Sequence, residues 1–181
     1  MILSKQFLDS FTSRRTVMES LECIQESDSY DVFISYSYID KFFVKKIVSL
    51  LEECGYSVYI DYDDLRLDRK SVNEKTARRL VEKMKKCKGL LYIFSPNSKK
   101  SKWCPWEVGV FSGIKDFKCA NLPLVEQNGD EFKNQEYLEL YPYVDYEKST
   151  KGYNEFWICE SDSKYISLRE WLQGQVLRER I

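Results

Sequence analysis

Short apolar runs alternate with stretches of helical period, and this alternation predicts the elements. Residues 31–36, Asp-Val-Phe-Ile-Ser-Tyr, form a compact β run. Phe42, Phe43, Ile47, Val48, Leu50, Leu51 and Cys54 then recur at helical spacing. Ser37-x-x-Asp40 resembles an N-cap box in front of that helix, and Gly55 is placed to end it. Tyr56–Ile60 reads as a second strand, and the charged stretch Asp61–Lys70 as a loop. A second box, Ser71-x-x-Glu74, opens a helix with Ala77, Leu80, Val81, Met84 and Cys87 on its apolar face and Gly89 at its end. Gly89–Phe94 predicts a buried third strand, Ser95–Ser101 a loop, Trp106 to about Phe117 a third helix, and Leu122–Val125 a fourth strand.

Strands alternating with helices predict an α/β fold with a parallel sheet covered on both faces and right-handed crossovers. Residues 1–29 are polar, with Phe7, Leu8, Phe11, Val17, Met18, Leu21 and Ile24 at a spacing that suits one or two short amphipathic helices on the outside. The main domain is therefore expected at 30–181, with 1–29 as an N-terminal helical extension. Beyond Glu126 the pattern weakens. Gln127–Gln135 is loop-like, Pro142–Asp145 predicts a short strand, and Gly152–Cys159 is apolar and aromatic without a clear period. Ser167-x-x-Glu170 caps a last helix through Trp171, Leu172 and Val176, which completes a C-terminal helical elaboration.

Composition narrows the classes. With 181 residues, 43% of them hydrophobic, the chain can bury one core. A net charge of −1 argues against a nucleic-acid partner, which calls for a basic balance or stripe. The apolar runs are strand-sized and the first residues lack a signal-peptide layout, so a cytoplasmic protein with no membrane partner is expected. The six cysteines follow no metal or C-x-x-C spacing and read as reduced, buried thiols. Histidine is absent, which removes Ser-His and Cys-His triads, histidine zinc sites and histidine general bases. Carboxylates, hydroxyls, tyrosines, thiols and lysines remain.

The segment Ser101-Lys-Trp-Cys-Pro-Trp-Glu107 concentrates the candidate chemistry. It follows the third strand, at the sheet edge where open α/β folds bind ligands. Glu107 is expected in the first turn of a helix, where the dipole favours an ionised carboxylate, and Trp103 four residues earlier shares its face. An indole wall beside an acid suits a flat cationic ring on a sugar, as in the nicotinamide riboside of NAD. The dinucleotide fingerprint G-x-G-x-x-G and a Walker A loop are both missing, so hydride transfer in the usual way is not expected. Breaking the nicotinamide–ribose bond asks for less. The leaving group departs neutral, so a single carboxylate near the oxocarbenium-like ribose suffices. The plain alternative is a first-turn glutamate that only serves the helix.

Ser35, Tyr36 and Ser37 leave the first strand at the same edge and offer hydroxyls to a ribose or phosphate, although Ser37 equally suits an N-cap. Asp61, Asp63 and Asp64 leave the second strand there, without the glycine and distal glutamate of a calcium loop. A solvated acidic loop is the expectation for them, with Asp61 nearest the nucleotide. Lys99, Lys100 and Lys102 suit either a pyrophosphate or an ordinary surface loop.

Taken together these motifs resemble the Toll/interleukin-1 receptor (TIR) domain family. Residues 30–36 resemble its first box, Ser57-Val-Tyr-Ile-Asp61 its second strand entering the BB loop, and Trp103-Cys-Pro-Trp-Glu107 the W-C-x-x-E segment of NAD-consuming members. The resemblance covers Tyr30 to about Val125 in order and spacing. It implies a flavodoxin-like three-layer sandwich around a mostly five-stranded parallel sheet. It also implies catalysis by Glu107, with Ser35, Tyr36, Ser37, Asp61 and Trp103 binding NAD as substrate, and no metal or further cofactor. Leu67-Asp-Arg69, Thr76-Ala-Arg78 and Trp103–Gly109 are similar to small standalone bacterial members, some of which serve the antiphage system called Thoeris. That likeness implies conversion of NAD into ADP-ribose or a cyclic ADP-ribose signal, TIR–TIR self-association on activation, and a separate effector protein that detects the product. Asp61–Lys70 holds neither proline nor glycine, unlike receptor-type members. A non-catalytic TIR interaction module and, more remotely, a nucleoside 2-deoxyribosyltransferase-like enzyme remain the alternatives.

Overall fold

The computed structural model describes residues 1–12, 29–60, 73–130, 132 and 136–179. Its strands are β1 (Leu3–Ser4), β2 (Tyr30–Ser35), β3 (Val58–Ile60), β4 (Cys87–Phe94), β5 (Cys119–Val125), β6 (Tyr143–Lys148), β7 (Asn154–Cys159), β8 (Lys164–Ser167) and β9 (Arg178–Glu179). The α-helices are α1 (Lys5–Ser10), α2 (Lys41–Glu53), α3 (Glu74–Lys85), α4 (Trp103–Ile114) and α5 (Leu168–Leu172). The strands join one sheet in the order β3-β2-β4-β5-β6-β7-β8-β9, with β1 paired to β5. The pairs from β3 to β6 are parallel, which gives five strands in the flavodoxin-like order, and β6 to β9 continue as an antiparallel meander. The expected α/β architecture is present, and the aromatic segment without a clear period is strand β7.

The pleat sorts β2 and β4 into two core layers. Val32, Ile34, Leu91 and Ile93 pack with Val44, Ile47 and Leu51 of α2 and with Trp171 of α5. Phe33, Leu90 and Tyr92 face the other way, against Leu80 and Met84 of α3 and Val108 and Phe111 of α4. Strands buried on both faces read as continuous apolar runs, which is why their period was hidden.

Local chemistry sets the helix ends. Gly55, at φ +84, ends α2 in a Schellman arrangement: its N–H donates to Glu52 O at 2.9 Å and Tyr56 N–H to Leu51 O at 3.0 Å. α3 is capped by Asn73, whose Oδ1 accepts from Thr76 N at 2.9 Å; the expected cap Ser71 lies outside the described residues. α4 starts at Trp103, three residues earlier than expected. Pro105 sits in the first turn, where a missing N–H breaks no intrahelical bond, and Ser101 Oγ accepts from Cys104 N at 3.2 Å. α5 stops at Leu172, and Val176 is exposed.

Two further expectations change. Residues 3–10 do not lie outside the main domain: β1 pairs with β5, Met1 O accepts from Tyr146 N of β6 at 3.1 Å, and Leu3 and Leu8 are buried in the core. The remaining predicted helical positions Val17, Met18, Leu21 and Ile24 lie outside the described residues. Gly89 does not end α3 but lies within β4, because α5 packs directly on it. A Cβ there would stand 2.8 Å from Trp171 Cζ3 and 2.7 Å from Leu172 Cδ2. The indole is rigid, so Gly89→Ala is expected to lower unfolding free energy by about 1–3 kcal/mol, read by urea denaturation.

Candidate active site

The direction of winding across the sheet reverses at β2: the chain steps outward to β3 and then back across to β4. The crevice at the C-terminal ends of β2 and β4 is the switch point of this fold. Ser35, the last residue of β2, shares the Phe33 side of the pleat and so points at α4. Its Oγ donates to Glu107 Oε2 at 2.5 Å, and both side chains are wholly buried. Glu107 stands in the second turn of α4, beyond the first turn where the helix dipole acts most, so that expected ground for its ionised state is removed. Ser35 holds the acid in its place.

A second buried carboxylate, Asp40, lies at the same crevice. It occupies the N-cap position of α2 but makes no cap bond. Its oxygens instead accept from Ser95 Oγ at 2.5 Å and Asn97 Nδ2 at 2.7 Å. The expected capping box is thus replaced by a link to the loop after β4. Ser37 begins the 3₁₀ turn Tyr38–Asp40 without a side-chain cap bond, its carbonyl accepting from Asp40 N at 2.9 Å. Sequence reading missed Asp40, Ser95, Asn97 and Ser98 as a cluster. The readable signal was Ser95-Pro-Asn-Ser98 directly after an apolar strand, a composition suited to side-chain-bonded turns.

The other expected site residues separate. Tyr36 is buried in the opposite core layer with Val44 and Ile47, because its neighbour Ser35 takes the α4 side of the strand. Trp103 meets Trp106 edge-on, with centroids 5.3 Å apart at 82°, and the pair lines a cleft of about 410 Å³ with Asn73, Ala77 and Lys102. Glu107 is not among the described residues lining that cleft. Lys99 lines a different cleft of about 480 Å³, beside Phe94, Ser95 and Phe132 at the ends of β4 and β5. Asp61, Asp63, Asp64 and the segment Leu67-Asp-Arg69 lie outside the described residues. Among the described residues no group of His, Cys, Asp or Glu is arranged to hold a metal ion, and no helix is long and apolar enough to cross a membrane.

The TIR domain family matches residues 32–156, which include Ser35, Asp40, Ser95, Trp103 and Glu107. This chain belongs to the TIR domain family. The TIR domain is similar to the "Probable 3′ cyclic ADP-D-ribose synthase ThsB′" of Bacillus cereus (strain MSX-D12), at 38% identity over 175 residues, 94% of this chain and 89% of that protein. It is also similar to the "Probable 2′ cyclic ADP-D-ribose synthase TcpO" of Methanobrevibacter olleyae, at 38% identity over 79 residues, 43% of this chain and 22% of that protein. A solved TIR domain, from the Toll-related receptor TRR-2 of Hydra magnipapillata, overlays with a TM-score of 0.47 at 16% identity, covering 64% of this chain and 82% of that one.

Four thiols of this TIR domain lie where burial keeps them protonated. Burial pushes Cys87, Cys119 and Cys159 up to about 12 and half-buried Cys54 up to about 11, so each stays a neutral thiol at neutral pH. A raised thiol pKa favours the folded form below the free-thiol value and loses that advantage as pH climbs toward the folded value. Alkylation of folded protein at pH 8, mapped by mass spectrometry, is therefore expected to proceed at least about tenfold slower at Cys87, Cys119 and Cys159 than in urea. Equal rates would show that these thiols are not held neutral by the fold.

Proposed function

We propose that this TIR domain cleaves the nicotinamide–ribose bond of NAD and closes the ADP-ribose into a cyclic product. The observation that carries the reading is the buried Ser35–Glu107 pair at the switch point of the sheet. As the C1′–N bond breaks, its electron pair leaves with nicotinamide, which departs neutral and needs no acid. Positive charge is left on the ribose, and the Glu107 carboxylate stabilises it. Ser35 keeps that carboxylate aimed, while the Trp103 indole lies in a separate cleft and is given no part in this step. NAD enters as substrate, and this step asks for no metal or further cofactor.

Cyclisation is favoured over hydrolysis by the burial of Glu107. A ribosyl cation formed in a closed site meets a hydroxyl of its own ADP-ribose before it meets bulk water. The attacking hydroxyl gives its proton to the carboxylate as the new C1′–O bond forms. The two relatives carry names for different cyclic linkages, and on this reading the isomer is set by the orientation of the bound nucleotide, after the shared first step. The proposal extends to a cytoplasmic antiphage role in which a separate effector protein detects the product. Self-association belongs to it as well: Tyr38, Ile39 and Phe42 are exposed by 64%, 71% and 59% within one turn and the start of α2.

Concentrated protein incubated with NAD, and separately with deoxynucleosides, is assayed by mass spectrometry of the products. Nicotinamide and a cyclic ADP-ribose are expected from NAD, with deoxynucleosides left intact. Glu107→Gln, which retains an oxygen for Ser35, is expected to slow nicotinamide release by about 100-fold or more while the thermal transition stays within a few degrees. Parent-level release by that variant removes Glu107 from the reaction.

A further inference from the structure

We propose that Asp40 is a positioning residue for this reaction: its buried carboxylate ties the loop after β2 to the loop after β4, and so sets where α4 holds Glu107. The inference rests on the NAD-cleaving reading above and names a residue which that reading does not use.

Asp40 is 1% exposed, although Tyr38 and Ile39 of the same turn are 64% and 71% exposed. Only the acid is drawn inward. A buried carboxylate is costly unless its oxygens are bonded, and here both are, from residues 55 and 57 positions away in sequence. The bonds also have a direction. Ser95 Oγ accepts from Asn97 N at 3.2 Å and Ser98 N at 3.1 Å, so its one proton is committed to Asp40. Ser98 Oγ closes the turn from the other side, accepting from Ser95 N at 2.9 Å and from Tyr92 Oη at 3.0 Å. The ordered turn continues through Ser98–Lys100 to Ser101, which caps the first turn of α4.

The end of β2 is therefore tied to α4 twice. Ser35 bonds Glu107 directly, and Asp40 fixes the only covalent lead from β4 into α4. Loss of the second tie leaves Glu107 on its helix but frees the turn that sets the helix entry. A displacement of about 1 Å in a reacting group costs on the order of 100-fold in rate.

The test compares Asp40→Ala, Asp40→Asn and Ser95→Ala with the parent, each as the full chain below its own thermal transition. Asp40→Ala is expected to lower kcat for nicotinamide release about 100-fold with KM within about threefold. Asp40→Asn keeps an oxygen for Ser95 and can donate to the Asn97 side-chain oxygen after that amide flips. It is expected to return within about tenfold of the parent, a rescue that loss of stability alone would not produce. Ser95→Ala, which removes the bond to Asp40 together with the acceptor for Asn97 N and Ser98 N, is expected to cost at least about tenfold and serves if Asp40→Ala does not fold. Parent-level kcat in folded Asp40→Ala or in Ser95→Ala overturns the proposal, as does an Asn variant no better than Ala. A parent that leaves NAD intact sinks the reaction and not the tie, which hydrogen exchange reads separately. Asp40→Ala is expected to speed exchange at Asn97 and Ser98 at least about tenfold, and unchanged protection there overturns the tie.

Discussion

The pleat of β2 decides which groups can meet in this molecule. The strand is hydrogen-bonded in parallel to β3 and β4 and covered by helices on both faces, so each of its residues commits to one layer or the other. Val32 and Ile34 go to the α2 side, and Phe33 and Ser35 to the α4 side. A slip of one residue would exchange these sets and place an isoleucine before Glu107. The packing of β2 is thus inseparable from the acid–hydroxyl contact at its end.

That contact belongs to a cluster of buried polar groups at one end of the core. Ser35, Asp40, Ser95, Ser98 and Glu107 are all buried where the sheet opens at its switch point. Polar groups in such surroundings cost stability unless they are bonded; Ser95 and Ser98 bond within their own turn, and the bonds of Ser35 and Asp40 run between elements. β2 is joined to α4, and the turn after β2 to the turn after β4. The crevice is held by cross-links of hydrogen bonds, where a loop-built site would drift.

The chemistry follows from the same burial. A departing nicotinamide needs no proton, so a fold without histidine can carry the step on one carboxylate. A carboxylate kept from solvent acts in a lower dielectric and keeps water away from the cation it stabilises. In the reaction proposed above, the exclusion of water leaves the cation to the substrate's own hydroxyl. Burial also keeps the Cys87, Cys119 and Cys159 thiols neutral.

The alternation of apolar runs was enough to predict the α/β fold and four of its parallel strands, because period and turn chemistry are local properties. W-C-P-W-E marked Glu107, and Gly55 marked the end of α2, for the same reason. Residues 154–159 are opaque because Trp157, half-buried between the buried Phe156 and Ile158, is itself apolar and masks the alternation. The helix ends depended on partners distant in sequence: Trp171 packs on Gly89, so that it lies inside β4 and does not end α3, and Ser95 with Asn97 draws Asp40 away from the cap of α2. The sequence by itself determined which residues form strands and helices and which acid stands after the third strand. Only the tertiary structure decided that Ser35 rather than Tyr36 meets that acid and that Asp40 closes the crevice, because contacts between residues 55 to 72 positions apart depend on strand register and layer.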